Sequence, residues 1–421
     1  MTHMKGDLSG PGLSKASQRE TGDRRILFRN GTVLDGLGGI LERGSVLVEG
    51  RRITYVGVER KEHRGADLLY DLDGRTLMPG MIDTHVHCVG GDFDPAHEGD
   101  SVAMAVLRTV PTVRRALLAG VTTMRTAGSR DYIDLDLRDA IRQGLVDGPR
   151  IVACGRGITM TGGHLHEIAA EVDGVDAVRR EVRYQIKRGV DSIKIVGLSG
   201  GVATANQDVQ AEQLTLEEVM VAVYEAHKAG KTVFGHAIGE RGILNGIRAG
   251  IDSIDHGIFL TEEACDLMKE KGTYYVPTLG PMHYYTERRK AEPWRIERAE
   301  TTREPHLRSF KLALEKGLTF AMGSDCGFAS RFPNGENALE LELMVRHGMT
   351  PMAAIVASTG NAARLLRLEG LVGSVAAGKL ADLIIVDANP LDDITALQHD
   401  IALVMKEGKI YLDHIRRADS P

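Results

Sequence analysis

Between about residues 80 and 370, one arrangement of apolar and polar positions recurs: a helical stretch ends in Gly, and a short β-branched run follows at once. Gly suits a helix end because it adopts the left-handed conformation without a Cβ penalty. The recurring glycines are Gly120, Gly189, Gly230, Gly250, Gly272 and Gly317. Regular helix-to-strand alternation predicts parallel strands joined by helical crossovers. With the runs before His87 and at 150–154, the pattern gives eight strands, the number that closes a barrel.

The segments on either side of this pattern contain only short strand-like runs. They lie at 26–28, 44–48 and 52–56 near the start of the chain, and at 381–387 and 402–411 near its end. Neither group is large enough to form an independent core. The sequence therefore predicts an α/β protein in which a (β/α)8 TIM barrel, residues 80–370, is inserted into a small β-sandwich domain built from residues 25–79 and 371–421.

Two further expectations concern the chain's organisation. Residues 1–24 contain few apolar side chains, so we expect a flexible N-terminal arm. An open doubly wound sheet is the alternative to the barrel, but no Gly-x-Gly-x-x-Gly run follows the first strand of the repeating pattern.

The composition of the chain argues against several classes of protein. An apolar fraction of 43% and a charged fraction of 26% are typical of a globular protein with a large core. The net charge of −6, without a basic run, argues against nucleic acid as a partner. There is no apolar run of the ~18 residues that a membrane span needs, and no signal pattern, so we expect a cytoplasmic protein. The four cysteines lie far apart and indicate neither a disulfide framework nor a thiolate zinc site.

The strongest chemical signal is the His-x-His pair, His85 and His87, near the end of the first barrel strand. Alternate residues of a strand leave the same face, so the two imidazoles share one space. A single His is often a satisfied core residue, but other candidate ligands also fall at strand ends, where a barrel of this type places its active site. These are Lys194, His236, His256 and Asp325. Together the six predict a site for two metal ions.

Lys194 is flanked by Ile193 and Ile195, which should face the outer helices, so Lys194 should point into the barrel. An ammonium has no acceptor and cannot bind a metal. A lysine carboxylated by CO2 could bridge two cations through its two oxygens. The alternative is a lysine paired with Asp325.

These residues resemble the amidohydrolase superfamily over nearly the whole chain. The resemblance rests on PGMIDTHVH at residues 79–87, the strand-borne Lys194, His236 and His256, GSD at 323–325, and GSVAAGKLADL at 373–383. Within the superfamily the chain is most similar to the branch of imidazolonepropionase-like proteins, Xaa-Pro dipeptidases and ochratoxin-hydrolysing amidases.

The resemblance implies a role for each matching residue. His85, His87 and Asp325 would bind one metal ion, His236 and His256 the other, and carboxylated Lys194 would bridge them. Zinc suits these ligands, and other divalent ions stay open. A metal-activated hydroxide would attack the carbonyl, and Asp325 would move its proton to the leaving amine.

Loops after the strands supply candidate substrate contacts. His164 matches a dipeptidase His that contacts the substrate, and we expect it to hydrogen-bond a carbonyl or carboxylate. His166 is either a second contact or a turn residue. Tyr284 belongs to a long aromatic loop of the kind that often forms a binding wall, and packing of this segment onto the outer helices is the alternative. Arg331 could meet a substrate carboxylate or be a solvated arginine. Ile238 occupies a position that is polar or aromatic in some dipeptidases, which favours a bulkier or more apolar substrate.

The predicted function is hydrolysis of an amide or dipeptide bond between an acyl or aminoacyl group and a carboxylate-bearing amino acid. The partner is therefore a small molecule, and we expect a homo-oligomer. One alternative is a ring hydrolase of the imidazolonepropionase type. An alternative of another class is a non-catalytic scaffold, although no expected ligand is missing.

Overall fold

The computed structural model describes residues 24–89, 97, 99–202, 207–289, 291–327 and 332–415, without the side chains of residues 62 and 64. Two predictions fall on other positions. The proposed N-terminal arm, except residue 24, and the candidate substrate residue Arg331 lie outside the described residues.

Parallel strands form the centre of the molecule. The strands of the barrel are β6 (Met81–Val86), β7 (Val121–Thr126), β8 (Arg150–Val152), β11 (Ser192–Ile195), β12 (Thr232–Ala237), β13 (Ser253–His256) and β14 (Tyr274–Val276). Two short strands, β9 (Ile158–Thr159) and β10 (Ala170–Glu171), pair beside β11. Every residue of β6, β7, β11, β12 and β13 is buried, as expected for parallel strands covered on both faces.

The eighth position of the barrel is occupied by residues 318–326, which pair through isolated bridges rather than as a regular strand. Tyr275 of β14 pairs with Phe320, and Val86 of β6 pairs with Cys326, both in parallel. Elsewhere in the ring, β8 is joined to β11: the amides of Asp191 and Ser192, at the start of β11, donate to the carbonyl of Ala153, which follows β8. These contacts close the ring, and they confirm the predicted barrel.

Helices follow the strands along the chain. Within the described residues they are α1 (Val102–Leu118), α2 (Ile133–Arg142), α3 (Val175–Arg188), α4 (Leu216–Lys228), α5 (Glu240–Ala249), α6 (Glu262–Lys271), α7 (Leu279–Thr286), α8 (Pro293–Glu315), α9 (Leu339–Arg346), α10 (Pro351–Ala357), α11 (Gly360–Leu365) and α12 (Ala396–His399). Short 3-10 helices occur at Lys61–Gly65 and Arg130–Tyr132. In the part of the chain that is described, we find no helix with the length and apolar character needed to cross a bilayer.

Strands from both chain ends form one eight-stranded sheet. They are β1 (Arg25–Leu34), β2 (Ile40–Glu49), β3 (Arg52–Gly57), β4 (Leu68–Asp71), β5 (Thr76–Pro79), β15 (Leu383–Val386), β16 (Ile401–Lys406) and β17 (Lys409–Asp413). The order is β17-β16-β15-β5-β1-β2-β3, with β4 beside β1. The junction between the two ends is the antiparallel pairing of β15 with β5. The predicted fold class is confirmed, while the exact domain boundaries stay a prediction.

Alternation along β15 shows how the sheet joins the barrel. Leu383 and Ile385 pack into a core made by the sheet's own strands, whereas Ile384 and Val386 pack into the large core of the barrel. Because neighbouring side chains leave opposite faces, one strand serves both cores. The sheet is therefore fixed to the barrel by direct apolar packing.

Candidate active site

The six residues predicted to bind metal line one cavity at the carboxyl end of the barrel. His85 is in β6 and His87 follows it, Lys194 is in β11, His236 in β12, His256 ends β13, and Asp325 lies in the closing segment 318–326. They are all buried. In a parallel barrel the strands end at the same rim, which is why residues so distant in sequence meet.

His85, His87 and Asp325 form a compact group of possible metal ligands. One ligand atom from each lies within 4.8 Å of the others. Asp325 Oδ1 is 3.5 Å from His85 Nε2 and 3.4 Å from His87 Nε2. Within the described residues Asp325 Oδ1 has no hydrogen-bond partner. The group thus presents two imidazole nitrogens and a carboxylate oxygen to one point.

A second group lies beside the first. The His256 ring is 5.0 Å from that of His85 and 4.4 Å from that of His236, and the His164 ring is 4.2 Å from that of His236. His236 Nε2 is 3.3 Å from the Gly200 carbonyl. A carbonyl only accepts, so this nitrogen carries the proton and Nδ1 is available as a ligand.

Lys194 lies inside the barrel, as its flanking isoleucines predicted. Its Nζ has no hydrogen-bond partner in the described part of the chain and lies 3.9 Å from Asp255 Oδ2. Burial lowers the pKa of Lys194 to about 8. Its closest carboxylate is thus Asp255, whereas sequence reasoning had considered Asp325. The low pKa leaves part of the amine neutral and nucleophilic near neutral pH.

Asp255 and Arg125 form a buried charged pair that sequence reasoning missed. Asp255 Oδ2 is 2.7 Å from His85 Nδ1 and 3.5 Å from Arg125, whose guanidinium stacks 3.7 Å from the Phe234 ring. The carboxylate accepts the Nδ1 proton of His85, so Nε2 faces Asp325 without a proton. The sequence of β13 did indicate that Asp255 faces the same side as Ser253, because alternate residues of a strand share a face. In the structure, the Ser253 hydroxyl donates to Asp255 at 2.8 Å.

The buried imidazoles are held neutral. Burial lowers the pKa of His85, His236 and His256 well below its usual value, and the charge of Lys194 adds to the effect. Burial and Lys194 likewise lower the pKa of His87 and His164 to about 3. Neutral imidazole is the form that binds metal ions. Nitrogen and carboxylate ligands with a nearby buried lysine therefore fit divalent metal ions such as zinc.

The candidate substrate residues differ in their placement. His164 and Ile238 line the cavity. His166 has a side chain 40% exposed beside Glu167 and is not among the residues that line the cavity. Tyr284 lies in helix α7, so the prediction of a loop there is wrong. Its ring stacks on Phe332 and its hydroxyl contacts Glu336, and its neighbour Tyr285 lines the cavity instead.

Thr278 and His306 also line the cavity and were missed. Thr278 Oγ1 is 2.6 Å from His256 Nδ1, and His306 Nε2 is 2.8 Å from the Pro277 carbonyl. His306 belongs to the long helix α8, where it directly follows a proline inside the helix, Pro305. Only the packing of α8 over the barrel end brings it to the site.

The other described residues of the cavity wall are apolar. Val202, Ile238, Ile258, Met282 and Tyr285 line the cavity and belong to one hydrophobic cluster. The cavity thus combines a polar floor of imidazoles, lysine and carboxylate with an apolar side. A pocket of this kind can fix a polar reacting group while it buries an apolar substituent.

Comparison with known sequences agrees with this arrangement. The family model for the amidohydrolase family matches residues 76–411, which include all six candidate ligands. The chain belongs to the amidohydrolase family. Amidohydrolases are hydrolases, and this one acts on carbon–nitrogen bonds and has a His-His-Asp candidate metal site.

Individual amidohydrolase relatives cover most of the chain. Ochratoxinase from Aspergillus niger is 32% identical over 424 residues, which span 90% of this chain and 85% of the relative. Imidazolonepropionase from Erwinia tasmaniensis is 27% identical over 84% of this chain and 89% of its own length. The crystal structure of a Xaa-Pro dipeptidase with methionine bound in its active site is 34% identical, with a TM-score of 0.85, over 92% of this chain and 100% of that chain. The barrel with its mixed terminal sheet is thus the fold of these amidohydrolases.

Proposed function

We propose that this amidohydrolase binds two divalent metal ions and hydrolyses the amide bond between an acyl or aminoacyl group and a carboxylate-bearing amino acid. The observation that carries the proposal is the convergence on one cavity of six residues from five parts of the barrel: His85, His87, Lys194, His236, His256 and Asp325. Similarity to a Xaa-Pro dipeptidase with methionine bound in its active site supports an amino acid as part of the substrate.

The two groups of ligands divide between the two ions. His85, His87 and Asp325 would hold one ion, and His236 and His256 would hold the other. Carboxylation of Lys194 would join Nζ to the carbon of CO2 with loss of two protons from the ammonium, and it would turn a buried cation into an anion whose two oxygens are possible metal ligands. Divalent ions held by these residues would acidify water and polarise a carbonyl oxygen.

The side chains then move the proton and orient the substrate. Asp325 Oδ1 faces the centre of the site and takes the proton from the attacking water, then delivers it to the leaving amine, which must be protonated to depart. His164, beside His236, hydrogen-bonds the substrate carbonyl or carboxylate. The apolar side formed by Ile238, Ile258 and Met282 receives an apolar substituent.

The test compares two buried lysines. Lys194 and Lys406 both have a pKa lowered by burial to about 8, but Lys406 donates to the Gly148 carbonyl at 2.6 Å in the terminal sheet. We expect two equivalents of metal in the wild type by elemental analysis, and a carbamate signal in carbon-13 NMR with labelled bicarbonate. Lys194→Met should lose the signal and bind less metal, whereas Lys406→Met should retain both.

Substrate assays separate the remaining functions. N-acyl amino acids and Xaa-Pro dipeptides should be cleaved by metal-replete protein, and cyclic imidazolones should not. Preferential turnover of the ring substrates would favour the imidazolonepropionase-like alternative. A protein that binds no metal and cleaves neither class would be the non-catalytic scaffold, and the proposal would be wrong.

A further inference from the structure

The turn that follows β14 is held in an unusual conformation from two directions. Thr278 has φ of 50°, which a β-branched residue adopts only at a cost. On one side, His306 Nε2 donates to the Pro277 carbonyl at 2.8 Å. On the other side, the buried Glu340 accepts from the amides of Leu279 and Gly280, each at 2.9 Å. Helices α8 and α9 therefore fix the turn and leave the Thr278 hydroxyl little freedom.

The Thr278 hydroxyl has two close neighbours of different chemistry. Its oxygen lies 2.7 Å from the Pro277 carbonyl and 2.6 Å from His256 Nδ1. A carbonyl only accepts, and its two lone pairs can serve both Thr278 and His306. When the hydroxyl donates its proton to the Pro277 carbonyl, its oxygen accepts the proton of His256 Nδ1. His256 Nε2 is left without a proton, in the form that can bind a metal ion.

We propose that Thr278 and His306 are positioning residues that set the tautomer and orientation of His256 for the ion it would share with His236. The inference rests on the proposed site for two metal ions. In each group of ligands, one histidine is then held by a hydrogen bond at the ring nitrogen that does not bind the metal ion. The partner is the Asp255 carboxylate for His85 and the neutral Thr278 hydroxyl for His256. Groups that hold a ligating histidine in this way commonly change metal affinity by about 10–100-fold when they are removed.

The decisive variant is Thr278→Val, which removes the hydroxyl and keeps the branched shape at the strained backbone position. Metal affinity is measured by titrating the metal-free protein with Zn²⁺ or Co²⁺ in a calorimeter and following the cobalt absorption spectrum. One of the two ions should bind about 10–100-fold more weakly than in the wild type. Thr278→Ser, which keeps the hydroxyl, should stay within a few-fold of the wild type.

Two further variants complete the experiment. Thr109→Val makes the same change at a buried threonine of α1, whose hydroxyl bonds the Ala105 carbonyl, and should bind both ions normally. His306→Phe should weaken the same ion as Thr278→Val by a smaller factor. The double variant should lose little more than Thr278→Val, since the two residues act through one turn.

The outcomes distinguish this inference from the proposed function. If the wild type binds two ions and Thr278→Val binds both with unchanged affinity, Thr278 does not position His256. Tighter binding by Thr278→Val would also overturn the inference, because the hydroxyl would then donate to Nδ1 and block the ligating tautomer. A wild type that binds a single ion would instead overturn the proposed function. Circular dichroism and thermal unfolding verify that each variant is folded.

Discussion

Single polar residues in the cavity can bind a metal ion or transfer a proton because burial removes the water that would otherwise hydrogen-bond to them. His256, Thr278 and Asp325 all have left-handed backbone conformations, with φ of 73°, 50° and 59°. Non-glycine residues hold such conformations where the surrounding structure enforces them, and they cluster at functional sites. Three of the twelve non-glycine residues with positive φ in the described part of the chain are therefore two candidate ligands and the residue that supports one of them.

Asp325 provides the sharpest test at the scale of the residue. Asp325→Asn keeps the shape of the side chain but replaces the proton acceptor with an amide. We expect kcat to fall by about 10²–10⁴-fold at saturating metal, the usual range for loss of a general base. Steady-state kinetics and metal analysis of the same sample give the measurement.

The control for this prediction is Asp266→Asn on α6, where the carboxylate is 64% exposed. It should leave kcat unchanged. Full activity of Asp325→Asn with metal bound would show that Asp325 does not transfer the proton.

At the scale of the element, the glycines that end the repeating helices do what the pattern predicts. Gly120, Gly189, Gly230, Gly250, Gly272 and Gly317 all have positive φ, between 67° and 94°. The left-handed residue turns the chain from each helix into the next barrel strand. Four of the six barrel segments that follow these glycines carry a candidate ligand, so the placement of those four ligands depends on these turns.

Gly189 ends α3 before the strand of Lys194. A substitution at this position tests the effect of backbone conformation without a change in side-chain packing. A Cβ added there would have no atom of the described residues within 4 Å, yet φ is 94°. Gly189→Ala should therefore lower the free energy of unfolding by about 1–2 kcal/mol through backbone conformation alone. Gly370→Ala is the matched control, because its Cβ also meets nothing and its φ is not in the left-handed region. Urea unfolding should show no loss for the control, and equal losses would contradict the explanation.

At the scale of the whole molecule, an ion cluster supports the junction between barrel and terminal sheet. Arg150 of β8 lies 2.7 Å from Asp382 and 2.6 Å from Glu407, which also contacts Arg51. Burial alone would raise the pKa of Glu407, but Arg150, Lys406 and Arg51 outweigh it and lower the pKa to about 2. The charged carboxylate therefore stabilises the folded protein at neutral pH.

The pH dependence of this contribution follows from the direction of the shift. Stabilisation by Glu407 is complete above its ordinary pKa near 4.5 and is lost as pH falls towards 2. Glu407→Gln should cost about 2–3 kcal/mol at pH 7, and the difference from the wild type should shrink between pH 4.5 and 2. Glu263→Gln, which breaks an exposed pair with Arg248, should change stability by less than about 0.5 kcal/mol. A difference for Glu407→Gln that does not vary with pH would exclude the ionic explanation.

The sequence alone determined the architecture, because its signals are local and periodic. Glycine after each helix, β-branched runs and the His-x-His spacing depend on neighbours a few residues apart, and they were sufficient to predict the barrel and to select six residues that meet in one cavity. The strand-like runs at each end of the chain are too few to form a separate core, so the sequence predicted that the two ends pair with each other. The structure confirms this pairing between β5 and β15.

Only the tertiary structure decided which groups surround those residues. The roles of Asp255, Thr278 and His306 depend on contacts between distant segments, such as the 2.8 Å bond from α8 to the Pro277 carbonyl. The rotation of α7 about its axis decides whether Tyr284 or Tyr285 faces the cavity. That rotation is fixed by stacking of Tyr284 on Phe332 and by the hydrogen bond from the Leu279 amide to Glu340. Periodicity specifies the face of a strand or helix, but the partner of a polar atom is fixed only when elements remote in sequence pack together.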